Sequence, residues 1–309
     1  MSGGAGRPPE RSGFVSIAGW TNVGKSTLLN RLVGEKIAAV SPVAQTTRRR
    51  ILGALHLEGR GQAVFLDTPG FHVPERRMNR AMVESARRSL RDADVVLLVV
   101  DAARGPGEGD ARVAALVRGS GKAALCVLNK IDLVAPKSRL LPMMRTLSEG
   151  FGLSESFPVS AATGEGCAAL LDRVFELLPE SAAPFSEDYL TDQRERDLAA
   201  EWIREKILLR TRQEIPHVVA VLVDSWRTRP DGLVEIEATI LVERESQKAI
   251  VVGKGGALLK QVGTEARQEI EGMLGAHACI FGGHDGLIFE LDAFFLDHRP
   301  GFFTGLWGQ

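Results

Sequence analysis

The sequence predicts an α/β domain with a mixed, mostly parallel sheet, followed by a small α+β module. Three observations carry that prediction. From Phe14 to about Leu178, short and nearly continuous apolar runs alternate with helical patterns, the mark of βαβ units. A glycine-rich run, Gly19-Trp20-Thr21-Asn22-Val23-Gly24-Lys25-Ser26, stands between the first apolar run and the first helical one. A proline-bracketed stretch of small residues, Pro179-Glu180-Ser181-Ala182-Ala183-Pro184, then breaks the pattern. With 309 residues the chain has the length of about two domains. The expected layout is a disordered lead-in over 1–13, a first domain over 14–180, a linker over 181–191 and a second domain over 192–309.

The strands of the first domain are expected at Phe14–Ala18, Ala63–Leu66, Val95–Val100 and Ala124–Leu128, each apolar enough for a sheet covered on both faces. Ile51–Leu57 alternates apolar and polar residues before the turn Glu58-Gly59-Arg60-Gly61, so it reads as one antiparallel strand joined to the next by a hairpin. Lys25–Val33, Asn79–Leu90, Ala111–Val117 and Gly166–Leu178 have helical spacing. The second domain reads as helix (Asp192–Arg212), strand (Val218–Ser225), strand (Leu233–Val242), helix, glycine-rich turn, helix (Ala257–Leu274) and a strand near the end.

Composition narrows the function classes. Apolar residues make up 44% and charged residues 25%, the balance of a soluble protein with a core. The net charge of −1 marks no global nucleic-acid or membrane field, yet the halves differ. Residues 1–184 hold 24 Lys+Arg against 18 Asp+Glu, a net of +6; residues 185–309 hold 14 against 21, a net of −7. Cys126, Cys167 and Cys279 are far apart and odd in number, which fits a reducing cytosol rather than a disulfide framework. The aliphatic run Val95–Val100 is too short to span a bilayer, and Met1–Gly13 has no stretch of signal-peptide length. A cytoplasmic protein is expected.

The chemistry is concentrated in a few short segments. Gly19–Ser26 fits G-x-x-x-x-G-K-[ST] between strand and helix, the context of a P-loop. Its glycines let backbone N–H groups from Gly19 through Asn22, Val23 and Gly24 to Thr27 turn around phosphate oxygens at a helix N-terminus. Lys25 is placed to reach the β- and γ-phosphates and Ser26 to ligate Mg²⁺. Asp67-Thr68-Pro69-Gly70 ends the strand Ala63–Leu66, where the Asp67 carboxylate can hold Mg²⁺ through water and the Gly70 amide can sense a γ-phosphate. Within Ala44-Gln45-Thr46-Thr47-Arg48 a threonine hydroxyl, Thr47 or its neighbour Thr46, could complete the Mg²⁺ shell.

Asn129-Lys130-Ile131-Asp132 follows a strand at its carboxyl end, where open α/β sheets bind ligands. A carboxylate such as Asp132 can accept from guanine N1–H and the 2-amino group, a pair adenine lacks, so the nucleotide expected is GTP or GDP. Val159-Ser160-Ala161 could supply a backbone donor to guanine O6, with Ser160 and Ala161 at the base. In the second half, Val252-Gly253-Lys254-Gly255-Gly256-Ala257 lies between residues that read as extended and a helix. A G-x-x-G turn with a basic residue inside can approach a nucleic-acid backbone closely. Gly253, Lys254, Gly255, Gly256 and Lys260 are therefore the RNA-binding candidates. His277, Cys279 and His284 have no paired spacing and no fourth ligand nearby, so no metal site is expected there.

The set of motifs, in this order, resembles the translation-factor class of GTPases. Glu35-Lys36-Ile37-Ala38 leading into Gln45-Thr46-Thr47-Arg48 resembles the bacterial Era GTPases in particular, as does Ile240-Leu241-Val242-Glu243-Arg244-Glu245. The resemblance runs from about Ser12 to at least Met273. It implies a P-loop GTPase domain followed by a type II KH domain, and a GTP-hydrolysing switch that binds small-subunit ribosomal RNA and assists assembly of the 30S subunit. It also implies peripheral association with the inner membrane, and a monomer is expected. An RNA chaperone in which GTP is mainly a structural ligand is the other reading of the same motifs.

Two departures matter. Directly after Asp67-Thr68-Pro69-Gly70, where many small GTPases place a water-orienting glutamine, stands Phe71, which has no hydrogen-bonding group. Rate must then come from electrostatic stabilisation by Lys25, Thr47, Gly70 and Asn22. Related GTPases with an asparagine at the Asn22 position use it to hold K⁺. The ending, from Phe281-Gly282-Gly283-His284 to Phe302-Phe303-Thr304-Gly305-Leu306-Trp307, does not match the usual ending of the family.

Overall fold

The computed structural model describes residues 10–41, 50–67, 88–211 and 219–282. The chain forms two compact units that divide between Gln193 and Arg194.

The first unit is built on a six-stranded sheet in the order β2-β3-β1-β4-β5-β6. The strands are β1 (Gly13–Gly19), β2 (Ile51–Leu57), β3 (Gly61–Asp67), β4 (Val95–Asp101), β5 (Ala123–Asn129) and β6 (Ser156–Pro158). All neighbours pair in parallel except β2 with β3, the hairpin expected from the alternating segment. Helices α1 (Lys25–Val33), α2 (Glu108–Gly119), α3 (Leu140–Phe151) and α4 (Cys167–Leu177) follow β1, β4, β5 and β6.

Each central strand is apolar on both faces because each face has its own core. Ile17, Leu97, Val99 and Val127 point to a cluster with Leu28, Leu29, Leu32, Leu170 and Val174 of α1 and α4. Val96, Leu98, Val100 and Leu128 point the other way, to Val113, Val117, Leu147 and Phe151 of α2 and α3. The period of two within β4 decides which cluster a residue joins. Burying such side chains stabilises the sheet by roughly 1.5–3 kcal/mol each.

β1 lies between β3 and β4; the connection leaving β1 runs to the β2–β3 side and that leaving β4 runs to the β5 side, which opens a crevice between their carboxyl ends. The register brings the strand ends level there. Ile17 pairs with Asp67, Gly19 with Val99, and Asp101 with Asn129. Four chemically competent segments are thus delivered to one edge of the sheet by strand pairing alone.

Residues 185–192 lie along the hairpin. The Ala54 N–H donates to the Leu190 carbonyl at 2.8 Å, and Thr191 Oγ1 donates to the Leu52 carbonyl at 2.6 Å. The Phe185 and Tyr189 rings stack at 4.2 Å and pack on Leu52, Ala54, Val64 and Leu66.

The second unit has the order α5 (Glu195–Arg210), β7 (Ala220–Thr228), β8 (Val234–Leu241), α6 (Glu245–Val252), α7 (Ala257–Leu274) and β9 (Ala278–Gly282). This α-β-β-α-α-β succession, with β8 central, antiparallel to β7 and parallel to β9, is that of a type II KH domain. Val234, Ile236, Ala238 and Ile240 of β8 are buried, as are Leu259, Val262, Ala266 and Ile270 of α7. One correction concerns the residues before the glycine-rich turn, which are helical rather than extended. The helix expected after β8 is α6, which runs up to the turn itself and is started by Gln247, whose Oε1 accepts the Arg244 N–H at 2.9 Å. It is held by Val251, which is fully buried.

Candidate functional site

The loop Gly19–Ser26 runs from the end of β1 into α1, and its glycines are required by what surrounds them. A Cβ on Gly19 would lie 2.6 Å from the Val99 carbonyl oxygen. Gly24 has φ +94°, and a Cβ there would lie 2.4 Å from Asn129 Nδ2. Asn22 also takes a left-handed backbone, φ 62°, and is exposed at the rim. Helix α1 begins without a side-chain cap and without an acid in its first turn, so its positive end faces the crevice unopposed. Val23 is buried and anchors the loop; Thr27, one residue beyond Ser26, is half-buried in the first turn.

Lys25 is buried, and its ammonium donates to the Gly19 and Trp20 carbonyls at 3.2 and 2.7 Å. Burial lowers its pKa to about 8, against the pull of Asp67 and Asp110, which favour the cation. The Ser26 hydroxyl donates to Asp67 Oδ2 at 2.7 Å. Two hard oxygen ligands from α1 and β3 are therefore adjacent, the donor chemistry Mg²⁺ takes. Burial raises the pKa of Asp110, at the start of α2, although its carboxylate accepts the Gly107 N–H at 2.9 Å.

The base-side segments interlock with this loop. Asn129 Nδ2 donates to the Val23 carbonyl at 2.9 Å, and Asn129 Oδ1 accepts the Ala161 N–H at 3.0 Å. Lys130 donates to the Asn22 carbonyl at 2.6 Å and to Asp101 Oδ2 at 2.7 Å. Asp132 is exposed in the short turn Ile131–Leu133 that follows. Ser160 is buried and closes its own turn, accepting the Thr163 N–H on Oγ at 3.1 Å. The segments that carry Gly19, Asn22, Val23, Gly24, Lys25, Ser26, Thr27, Asp67, Asn129, Lys130, Asp132, Ser160 and Ala161 thus stand at the carboxyl end of the sheet. Thr47, Gly70 and Phe71 lie outside the described residues.

In the second unit Gly253, Gly255 and Gly256 all have positive φ. Gly253 also packs closely, since a Cβ there would lie 2.8 Å from Leu258 Cβ. The chain turns through Lys254–Gly256 into α7, whose N-terminus again has no acid in its first turn and no side-chain cap. Lys254 and Lys260 are both exposed beside it.

Sequence reasoning missed three neighbours of the site. Asp101 holds Lys130 from the end of β4; its position matches that of Asp67 at the end of β3, a signal that was available. Trp20 lies flat against α2, where a Cβ on Gly109 would come 2.5 Å from Trp20 Cδ2. Arg31, on α1, donates to two carbonyls of the Ser160 turn and has no motif around it.

Comparison with known proteins agrees with this architecture. Residues 14–130 match the family model of a 50S ribosome-binding GTPase, and residues 214–281 match that of a KH domain. The chain is 48% identical to GTPase Era of Geobacter sp. (strain M21) over 264 residues, 85% of this chain and 88% of that one. It is 47% identical to GTPase Era of Geobacter metallireducens over 267 residues, 86% and 89% of the two chains. Among solved structures it superposes with a TM-score of 0.85 on Era in complex with MgGDPNP and nucleotides 1506–1542 of 16S ribosomal RNA. That match has 38% identity and covers 88% of this chain and 92% of the other. An Aquifex aeolicus Era variant bound to GDP·AlF4⁻ gives a TM-score of 0.84 at 38% identity, with the same coverage of both chains.

The depressed pKa of Lys25 has a measurable consequence. Below about pH 8 the lysine of the empty crevice is already charged, and a polyphosphate binds without recruiting a proton. Above it the lysine is neutral and must be protonated as the anion arrives. GDP affinity should therefore hold between pH 7 and 8 and fall roughly tenfold by pH 9. Calorimetry in buffers of different ionisation enthalpy should find proton uptake near zero at pH 7 and approaching one proton at pH 9.

Proposed function

This chain belongs to the Era family of GTPases, and from that premise we propose that it is a GTP-driven switch whose KH unit engages small-subunit ribosomal RNA during assembly of the 30S subunit. One observation carries the reading. A nucleotide crevice built from four strand ends and a G-x-x-G turn at an open helix N-terminus occur in one polypeptide. The 16S ribosomal RNA in the complex of the related Era supplies the class of partner.

In this reading the backbone from Gly19 to Thr27 cradles the phosphates. Lys25 leaves the Gly19 and Trp20 carbonyls for phosphate oxygens, where its charge balances the growing negative charge of the transition state. Ser26, Asp67 and Thr47 hold Mg²⁺, which would neutralise the phosphates and fix their geometry. The fit rests on the Ser26–Asp67 oxygen pair. Gly70 reports the γ-phosphate through its amide. Asn129 and Lys130 brace the phosphate loop, Asp132 reads guanine N1–H and the 2-amino group, and the Ser160–Ala161 turn reads O6. Lys254 and Lys260 meet RNA phosphates at the mouth of α7, with Gly253, Gly255 and Gly256 letting the backbone come close. A role for K⁺ at Asn22, action as a monomer, a cytoplasmic setting and peripheral contact with the inner membrane complete the proposal. No helix among the described residues is long and apolar enough to cross a membrane.

Base choice tests the crevice. Asp132→Asn replaces an acceptor pair with one acceptor and one donor, so GTP affinity should drop and xanthosine nucleotides should bind better than GTP. Direct titration of the two triphosphates decides it, and unchanged GTP affinity would sink the assignment.

The KH turn is tested separately. Changing Lys254 and Gly255 to Asp places two negative charges where RNA phosphates would lie. Binding to a ribosomal RNA fragment should be lost across a salt series, while intrinsic GTP hydrolysis persists. Wild-type RNA affinity in that variant would refute the assignment.

The last test concerns the side-chain carbonyl of Asn22, an exposed residue of the loop with a left-handed backbone. Intrinsic turnover should be slow and faster in KCl than in NaCl at matched ionic strength. Phe71→Ala should change it little, and Asn22→Ala should remove the response to K⁺. Equal rates in the two salts exclude the K⁺ role.

A further inference from the structure

Arg31 lies on α1, six residues beyond the lysine that the crevice buries. Its guanidinium crosses to a turn 130 residues away, with Nε donating to the Ala161 carbonyl at 3.0 Å and Nη2 to the Ala162 carbonyl at 2.6 Å. Among the described residues it has no carboxylate partner. Both of its acceptors are main-chain oxygens of the turn that follows Val159, so the contact fixes a backbone rather than forming a surface ion pair.

The geometry of the peptide unit gives this grip a direction. In a trans peptide the C=O and the following N–H point opposite ways. With the Ala161 C=O turned to Arg31, the Ala162 N–H is turned away from it. The Ala161 N–H bonds Asn129 Oδ1, which places the donor side of the turn against the Asn129–Asp132 segment. The Ala162 N–H has no partner within the chain among the described residues. The turn itself is closed by Ser160, which accepts the Thr163 N–H on Oγ at 3.1 Å and the Gly164 N–H on its carbonyl at 2.7 Å. It therefore moves as one piece, and Arg31 sets its tilt from behind.

We infer that Arg31 is a positioning residue for recognition of the guanine 6-oxo group, holding the carbonyls of residues 161–162 so that the Ala162 N–H of the same turn faces O6. The inference rests on the reading of this crevice as a guanine nucleotide site. It makes the nine residues of α1 a single rigid part that bears on the phosphates at its first turn and on the base at its last.

The test uses the full chain and two nucleotides. GDP and 6-thio-GDP share N1–H, the 2-amino group and the diphosphate, but sulfur is a poor acceptor in place of O6. The wild type should prefer GDP. Arg31→Ala should weaken GDP by about tenfold, the worth of one good polar contact, and leave 6-thio-GDP nearly unchanged, so that the preference collapses. Arg31→Lys, which can reach one carbonyl at a time, should fall between. Should the alanine variant not fold, Arg31→Gln gives the same comparison with the charge removed. Equal losses for both nucleotides would mean that Arg31 only supports the fold, and no loss for either would mean that it is idle; each overturns the inference. If Asp132→Asn still turns the site toward xanthosine while these variants show no selective loss, the crevice reading stands and only the role of Arg31 fails.

Discussion

Asn129 has both ends of its amide inside the protein. Its Nδ2 holds the carbonyl of Val23 in the phosphate loop, and its Oδ1 holds the N–H of Ala161 in the base-side turn. It sits at the end of β5, the strand that pairs with β4, and its own carbonyl accepts the Ala102 N–H at 2.8 Å. Three connections at the carboxyl edge of the sheet are therefore tied to one residue that is only 2% exposed. Leaving either buried partner without its bond would cost about 1–3 kcal/mol. The requirement spreads outward, because Gly24 must be glycine to let the amide pass at that distance. Lys130, in a left-handed conformation at φ 65°, then turns the chain so that Asp132 emerges into solvent on the far side.

Around that joint the electrostatics are set for an anion that is not part of the chain. Lys25 is surrounded by carbonyl oxygens and by the carboxylates of Asp67 and Asp110, yet burial still weakens its hold on the proton. An uncapped helix end adds positive potential with no acid to oppose it. A folded protein keeps such a frustrated arrangement only where something else supplies the missing charge, and phosphate oxygens are the complementary group. Ser26 of α1 is bonded beside that lysine to Asp67, the last residue of β3, which the Thr68-Pro69-Gly70 segment follows in the sequence.

Much of this was legible in the sequence, for physical reasons that differ between elements. Lys25–Val33 and Ala257–Leu274 have the same bounds in the sequence reading and in the structure. Each is bracketed by glycines, Gly24 and Gly34 or Gly256 and Gly275, that take positive φ at the two ends. The central strands were visible because sheets covered on both faces leave long apolar runs. Helix α3 was not, although Leu140, Met143, Met144, Leu147 and Phe151 recur at helical spacing on the face toward the core; Pro142 in its first turn and the exposed Leu141 beside Leu140 obscure that pattern. The second unit's α6 was expected in its place, between β8 and the glycine-rich turn, but without bounds; only its reach up to the turn was missed. The Arg31 contact could not be read at all. It joins residues that come together only after β5 and β6 pair beside β4.

The two glycine turns of this chain solve one physical problem to two different depths. Each delivers a helix N-terminus that is bare of acids and of side-chain caps, and each uses left-handed backbone to clear the way for phosphate. They differ in where the lysine goes. In the first unit Lys25 is buried inside the loop, which suits a ligand to be held and acted upon. In the second, Lys254 is exposed, and Gly255 and Gly256 have open space where a side chain would stand. Such a turn can lie along a polyanion without enclosing any one phosphate. Because residues 185–309 carry a net charge of −7, long-range attraction contributes little there, and under the proposed reading the bare helix end with Lys254 and Lys260 supplies the contact locally. A binding mode of that kind depends on the fit of the strand to the turn, so selectivity follows from the weakness of the overall field.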